Sequence, residues 1–207
     1  MRKTLLVTLL VAAVCAMTGT ALAGTVGFDD LAPFTVPPPG YAGINVWDGS
    51  FEAINLDCCG ASGYANNNVS PQNEAFDPFG NPAELGSVGG NVFTLNSFYT
   101  GAAWNDGEDL HIVGYLGGVP VPGDDVHVTI SSIGPALLVT LNWAGVDEVT
   151  FTPSGGTNHG WGGSGEHFII DNLTTNGVAT TPEPGTLVML GSGVVGLAGL
   201  LRRKLSL

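Results

Sequence analysis

The sequence predicts an all-β fold, an antiparallel β-sandwich of jelly-roll type, and three observations carry that prediction. Short apolar runs recur along the chain, separated by Gly, Pro, Asn and Asp. Several of these runs alternate residue by residue, the period of a strand with one face buried. Between the hydrophobic termini no stretch carries a helical apolar stripe, which points to sheet packed on sheet.

Taken in order, the candidate strands cover 25–28, 43–47, 92–99, 110–116, 125–130, 136–143, 148–151 and 167–173. Alternation is clearest where Phe93 and Leu95 share a face, where Val126, Val128 and Ile130 do, and where Leu137, Val139, Leu141 and Trp143 do. Trp47, Trp104 and Trp143 read as core or strand-end residues. Gly and Pro together make 45 of 207 residues, below the roughly 25–30% that would argue for disorder. One domain over 24–178 is expected, with no internal repeat.

Both ends read as segments that direct the chain to a membrane. Arg2-Lys3, the apolar run 5–17 and the small residues Ala21-Leu22-Ala23 form a secretory signal peptide, 1–23, to be excluded from the fold. Cys15 is removed with it. At the other end a linker and tail, 179–207, hold Pro182-Glu183-Pro184, an uncharged run at 186–201, and then Arg202, Arg203 and Lys204. That run makes a helix of roughly 24 Å, short for a bilayer unless flanking cations snorkel and the membrane thins. The basic cluster holds the cytoplasmic side, so everything before Pro182 faces outward. Pro182 and Pro184 keep their segment extended and accessible, as a protease requires. Small residues at Gly191, Ser192, Gly193, Gly196 and Gly199 leave a slim helix face for packing inside a membrane enzyme. An ordinary single-pass anchor, never cut, would carry the same run.

The order Pro-Glu-Pro, apolar helix, basic end resembles the PEP-CTERM sorting tail of exported bacterial proteins. The resemblance implies recognition and processing by an exosortase-type membrane protease, a transiently membrane-anchored precursor, and a final place at the cell surface or in an extracellular, exopolysaccharide-rich biofilm matrix. A looser likeness runs through Phe93–Tyr99, Ala102-Ala103-Trp104-Asn105, Gly114-Tyr115 and Phe168–Leu173, which are similar to β-sandwich ectodomains attached to such tails and, in outline, to carbohydrate-binding jelly rolls. No defined activity follows from it.

Charge narrows the function further. Seventeen of the eighteen acidic residues lie within 24–181, and none of the five Lys and Arg does. Nucleic-acid phosphates would be repelled with no cation to offset them. Without salt bridges, facing carboxylates must be hydrated, hydrogen-bonded or neutralised by metal. Calcium is the expected extracellular ion, and Asp29, Asp30 and Asp171 are its candidate ligands if the first and last strands are neighbours. The alternative is that Asx residues there cap turns. Two other acidic stretches, 105–109 and 123–125, lack the EF-hand order and read as solvated hairpin loops.

Cys58 and Cys59 are the cysteines of the mature body, in an oxidising compartment. Adjacent Cα atoms lie about 3.8 Å apart, below the usual disulfide range, so a bridge between them would be a strained vicinal ring. A free pair and bonds to another chain are the alternatives. No His or Lys nearby would activate a thiol. His111, His127, His159 and His167 lack zinc-type spacing and read as polar-face residues. No Gly-x-Ser-x-Gly elbow is present. Two carboxylates among Glu52, Glu74, Glu84, Glu108, Glu148 and Glu166 could serve a glycosidase, but no sequence rule pairs them.

Aromatics give the binding hint. Trp161 stands in a glycine-rich run over 155–165 where a sugar ring could stack, with Asn158, His159 and Glu166 supplying hydrogen bonds. The simpler expectation is that the loop folds back and Trp161 closes one end of the sandwich. The expected protein is therefore exported and non-enzymatic, with a carbohydrate-binding module or a polysaccharide-active enzyme as the alternative.

Overall fold

Eleven strands build two antiparallel sheets in the computed structural model, which describes residues 23–48, 51–87 and 91–176. They are β1 (Ala23–Val26), β2 (Val46–Trp47), β3 (Glu52–Asn55), β4 (Asn73–Phe76), β5 (Ala83–Gly86), β6 (Phe93–Ala102), β7 (Asn105–Leu116), β8 (Val119–Ile130), β9 (Leu137–Val146), β10 (Glu148–Asn158) and β11 (Phe168–Asn176). One sheet runs β3-β4-β11-β6-β9 with β1 also on β11, and the other runs β2-β5-β10-β7-β8. The all-β, two-sheet architecture is the one the sequence predicts. All of the signal peptide expected at 1–23 except Ala23, which opens β1, lies outside the described residues, as do the sorting residues and the membrane helix expected at 186–201; among the described residues no helix is long and apolar enough to cross a membrane.

The core fills the space between the sheets, because alternate residues of the long strands point the same way. Leu110 and Ile112 of β7 meet Phe93, Leu95 and Phe98 of β6, all buried, and Val139 and Trp143 of β9 join them. Phe151 of β10 touches Phe98 and Phe168 across the gap, with ring centroids 5.6 and 5.9 Å apart. Each such buried aromatic contributes about 2–3 kcal/mol by leaving water. Leu137, placed by alternation with Val139, is instead exposed at the start of β9.

First and last strands do pair, with Thr25 opposite Thr174 and their hydroxyls 2.8 Å apart. Three short strands, β3, β4 and β5, carry no alternation that sequence could read. Both acidic stretches expected as hairpin loops are strand: 105–109 opens β7, bonded to β10, and 123–125 lies inside β8. The β7–β8 turn is Gly117-Gly118, both at positive φ (60° and 74°), a two-residue turn only glycine-like residues enter cheaply.

The two sheets differ on their outer faces. Over the six-stranded sheet lies the segment 56–72, with a single helical turn at Gly63–Asn67. Beneath it Tyr64 packs on Ile54, Phe76, Ala103 and Ile169 in a second small core, with Trp104 at its rim. Trp104 is thus a strand-end residue, between β6 and β7, as expected. The outer face of β7 and β8 has no such cover: His127, Thr129 and Asp125 are exposed.

Candidate ligand-binding loop and the placement of the carboxylates

The glycine-rich segment leaves β10 of the five-stranded sheet at Asn158 and enters β11 of the six-stranded sheet at Phe168. Its first residue is pinned by the His159 N–H donating to the Trp104 carbonyl (2.9 Å). Asn158 then braces the turn at both ends of its side chain. Its amide NH2 donates to the Gly163 carbonyl (2.8 Å), and its Oδ1 accepts the Gly160 N–H (2.8 Å). Gly163 lies flat against the indole of Trp104, where a Cβ would collide with the ring. At the far end His167 Nδ1 meets the Tyr64 hydroxyl at 2.9 Å, and burial pushes the His167 imidazole down.

Trp161 belongs to neither buried cluster. It is half-buried against His159, with centroids 4.2 Å apart and planes tilted 57°. The neighbouring indole, Trp104, stands edge-on to Tyr64 at 5.3 Å, at the rim of the small core under the 56–72 segment. Glu166 Oε1 accepts the Gly155 N–H (2.6 Å), which ties the loop to β10. Of the four residues singled out for this loop, Trp161 and His159 pack against each other at a tilt, while Asn158 and Glu166 hold the backbone.

Glu108, named among the candidate glycosidase carboxylates and placed by its sequence in a solvated loop, is buried instead. It is 0% exposed, on the inward face of β7 with Leu110, and no hydrogen-bond partner is placed on either oxygen. Burial first, then the charges of Glu166 and Asp77, push its carboxyl up to about 9, so it carries a proton at neutral pH. Burial likewise raises Asp77 to about 6, against three backbone N–H groups that pull it down.

Asp171 lies buried under the 56–72 segment. Its oxygens accept from the Val69 N–H (2.8 Å), the Ser70 N–H (2.7 Å), the Ser70 hydroxyl (2.8 Å) and its own neighbour's Asn172 N–H (2.6 Å). Asn172 takes a positive φ of 47° where the β11 register slips, and that bulge turns the carboxylate toward its donors. Beside it Glu74 is buried with no partner on either oxygen, and burial, followed by the Asp171 charge, raises it well above the ordinary range. Asp29 accepts the Asn73 N–H (3.0 Å) and Asp30 the Tyr41 hydroxyl (2.6 Å). Each candidate calcium ligand therefore already accepts a hydrogen bond from the protein.

Cys58 and Cys59 are thiols with sulfurs 2.9 Å apart, and burial pushes the Cys59 thiol up to about 12, which makes it a poor nucleophile. Among the described residues one trio of metal-ligand type comes together, His111, Asp125 and His127.

Fold and termini together define a class, a two-sheet β-sandwich body bearing a C-terminal sorting signal. Residues 180–204 are a PEP-CTERM protein-sorting motif, matched by the family of that description. No curated protein matches the chain. Three solved structures resemble it in outline. TmCBM61 in complex with β-1,4-galactotriose is 13% identical, over 70% of this chain and 98% of that one, with a TM-score of 0.33. The K2 cleaved adhesin domain of Lys-gingipain is 13% identical, over 74% and 98%, with a TM-score of 0.38. The M60 catalytic domain with two CBM51 domains from Clostridium perfringens ZmpB is 10% identical, over 74% of this chain and 15% of that one, with a TM-score of 0.33. What those proteins bind is theirs.

Proposed function

We propose that this chain is an exported, non-enzymatic surface or matrix protein, delivered by its sorting tail, whose sandwich holds exopolysaccharide through the Trp161–His159 face. The observation that carries the reading is the tail: a PEP-CTERM motif marks an exported, membrane-anchored precursor for exosortase processing. The body supports the binding half. An aromatic pair outside the core, on a loop braced by Asn158 and Glu166, offers the free face of an indole already held in place. Sugars stack on such rings at little ordering cost.

Two observations support a non-enzymatic role. Glu108 has the raised acidity range of a general acid but is 0% exposed, so a glycosidic oxygen cannot meet it. Burial holds the Cys59 thiol up at about 12, where little thiolate forms at neutral pH. Calcium at Asp29, Asp30 and Asp171 is the expected ion should one bind at the β1–β11 junction.

A glycan-binding screen of residues 24–178 tests the reading. Retention without release of reducing ends is the expected result; release of sugar products would replace it with a polysaccharide-active enzyme.

A further inference from the structure

His111 and His127 stand directly opposite each other across the β7–β8 ladder, rings stacked 4.0 Å apart and within 4° of parallel. Each meets a carboxylate on the other strand. His111 Nε2 lies 2.9 Å from Asp125 Oδ1, and His127 Nδ1 lies 2.7 Å from Asp109 Oδ2. One ligand atom from each of His111, Asp125 and His127 falls within 4.8 Å of the others. Leu110, Ile112, Val126 and Val128 of the same strands face the core, so the cluster occupies the uncovered outer face of the five-stranded sheet.

We propose that this cluster binds a divalent transition-metal ion of the zinc or copper class, through His111 Nε2, an Asp125 oxygen and His127 Nε2. Two imidazoles with one carboxylate form an N/O donor set that suits these ions, whereas calcium takes oxygens alone. Asp109 holds His127 Nδ1, which fixes the ring and leaves Nε2 as donor, the arrangement in which a second carboxylate orients a metal-binding histidine. On binding, the ion replaces the proton shared by His111 and Asp125, and that proton passes to the other ring nitrogen of His111. Ligand atoms around zinc sit roughly 3.3 Å apart, given bonds of about 2.0–2.1 Å. With His127 held by Asp109, rotation of the His111 and Asp125 side chains on a fixed two-strand frame closes the gap from 4.8 Å.

Three protein ligands leave a position for water or for a group from another molecule. No Lys or Arg within 24–181 opposes the cation, and seventeen carboxylates attract it. The site is separate from the Trp161 loop: Asn105, which pairs with Asn158, lies six residues before His111, roughly 20 Å along β7.

The test is calorimetric titration of the untagged full-length chain in detergent with zinc chloride, paired with electron paramagnetic resonance of the copper(II) form. One ion per chain is expected, with nitrogen couplings from two imidazoles. His111→Ala and His127→Ala each weaken zinc at least about tenfold, Asp109→Asn weakens it about tenfold, and His159→Ala leaves it unchanged. Circular dichroism confirms that each variant is folded, and His111→Gln or His127→Gln replaces the alanine variant of the same residue if that one is not. Absence of zinc binding, undiminished binding in folded His111→Ala or His127→Ala, or loss on His159→Ala overturns the proposal.

Discussion

The two outer faces of this sandwich meet the same problem, carboxylates with no Lys or Arg to pair with, and solve it in opposite ways. Over the six-stranded sheet the 56–72 segment buries Asp171 and Glu74 together. Asp171 accepts from four donors, and Glu74 avoids a buried charge by keeping its proton. Over the five-stranded sheet Asp109 and Asp125 stay at the surface and pair diagonally with His127 and His111. Covering a face commits its polar groups to the fold, whereas an open face leaves them free for a ligand. Structure should therefore fail first on the covered face, and binding on the open one.

The largest effect is expected from Asp171→Ala, which leaves the Val69, Ser70 and Asn172 donors without their acceptor. A loss of about 4 kcal/mol or more is expected, a large part of a domain's stability, read as a collapse of the melting transition. A small loss would mean that the covered face contributes little.

Next is Glu108, the acid buried between the sheets. It keeps its proton up to about pH 9 when folded, against the usual 4.5. Across that window the folded chain binds more protons than the unfolded one, so stability is fullest below about pH 4.5 and falls as pH rises toward 9. The slope from this group is at most about 1.4 kcal/mol per pH unit. Glu108→Gln should flatten the melting profile between pH 5 and 8 and stabilise by about 2 kcal/mol at pH 8; an unchanged slope would mean the carboxyl is not buried as described.

On the open face, Asp125→Asn removes an exposed partner of His111 and should cost under about 1 kcal/mol, a shift of a few degrees in melting temperature. The smallest stability effect is assigned to Trp161→Ala, within about 0.5 kcal/mol of the parent, while glycan retention is lost. Retention by that variant would remove Trp161 from the binding face.

Long strands were legible because their alternation is local. Val126, Val128 and Ile130 turn inward as their spacing predicts. Four-residue strands such as Asn73–Phe76, buried on both faces, have no alternation to read and are set by their partners. The turn-forming composition of 105–109 was overridden by pairing to β10 and β8. Register also hid the histidine pair. From the Gly117-Gly118 turn, Leu116 pairs with Val119, and a regular ladder would set His111 against Asp124. The irregularity between Val113 and Tyr115 advances the partner strand by three residues, so that His127 stands there instead. In the glycine-rich loop the residue types were readable, but not which of them would brace the backbone and which would face outward.

The PEP-CTERM motif at 180–204 marks the chain as an exported, membrane-anchored precursor, and the proposed function adds that exosortase processing then removes its tail. Intact-mass spectrometry of the protein recovered from a host with an exosortase tests this most directly. A product found outside the cytoplasm and lacking the 186–207 segment is the predicted result. A cytosolic product ending in Leu207 would contradict it.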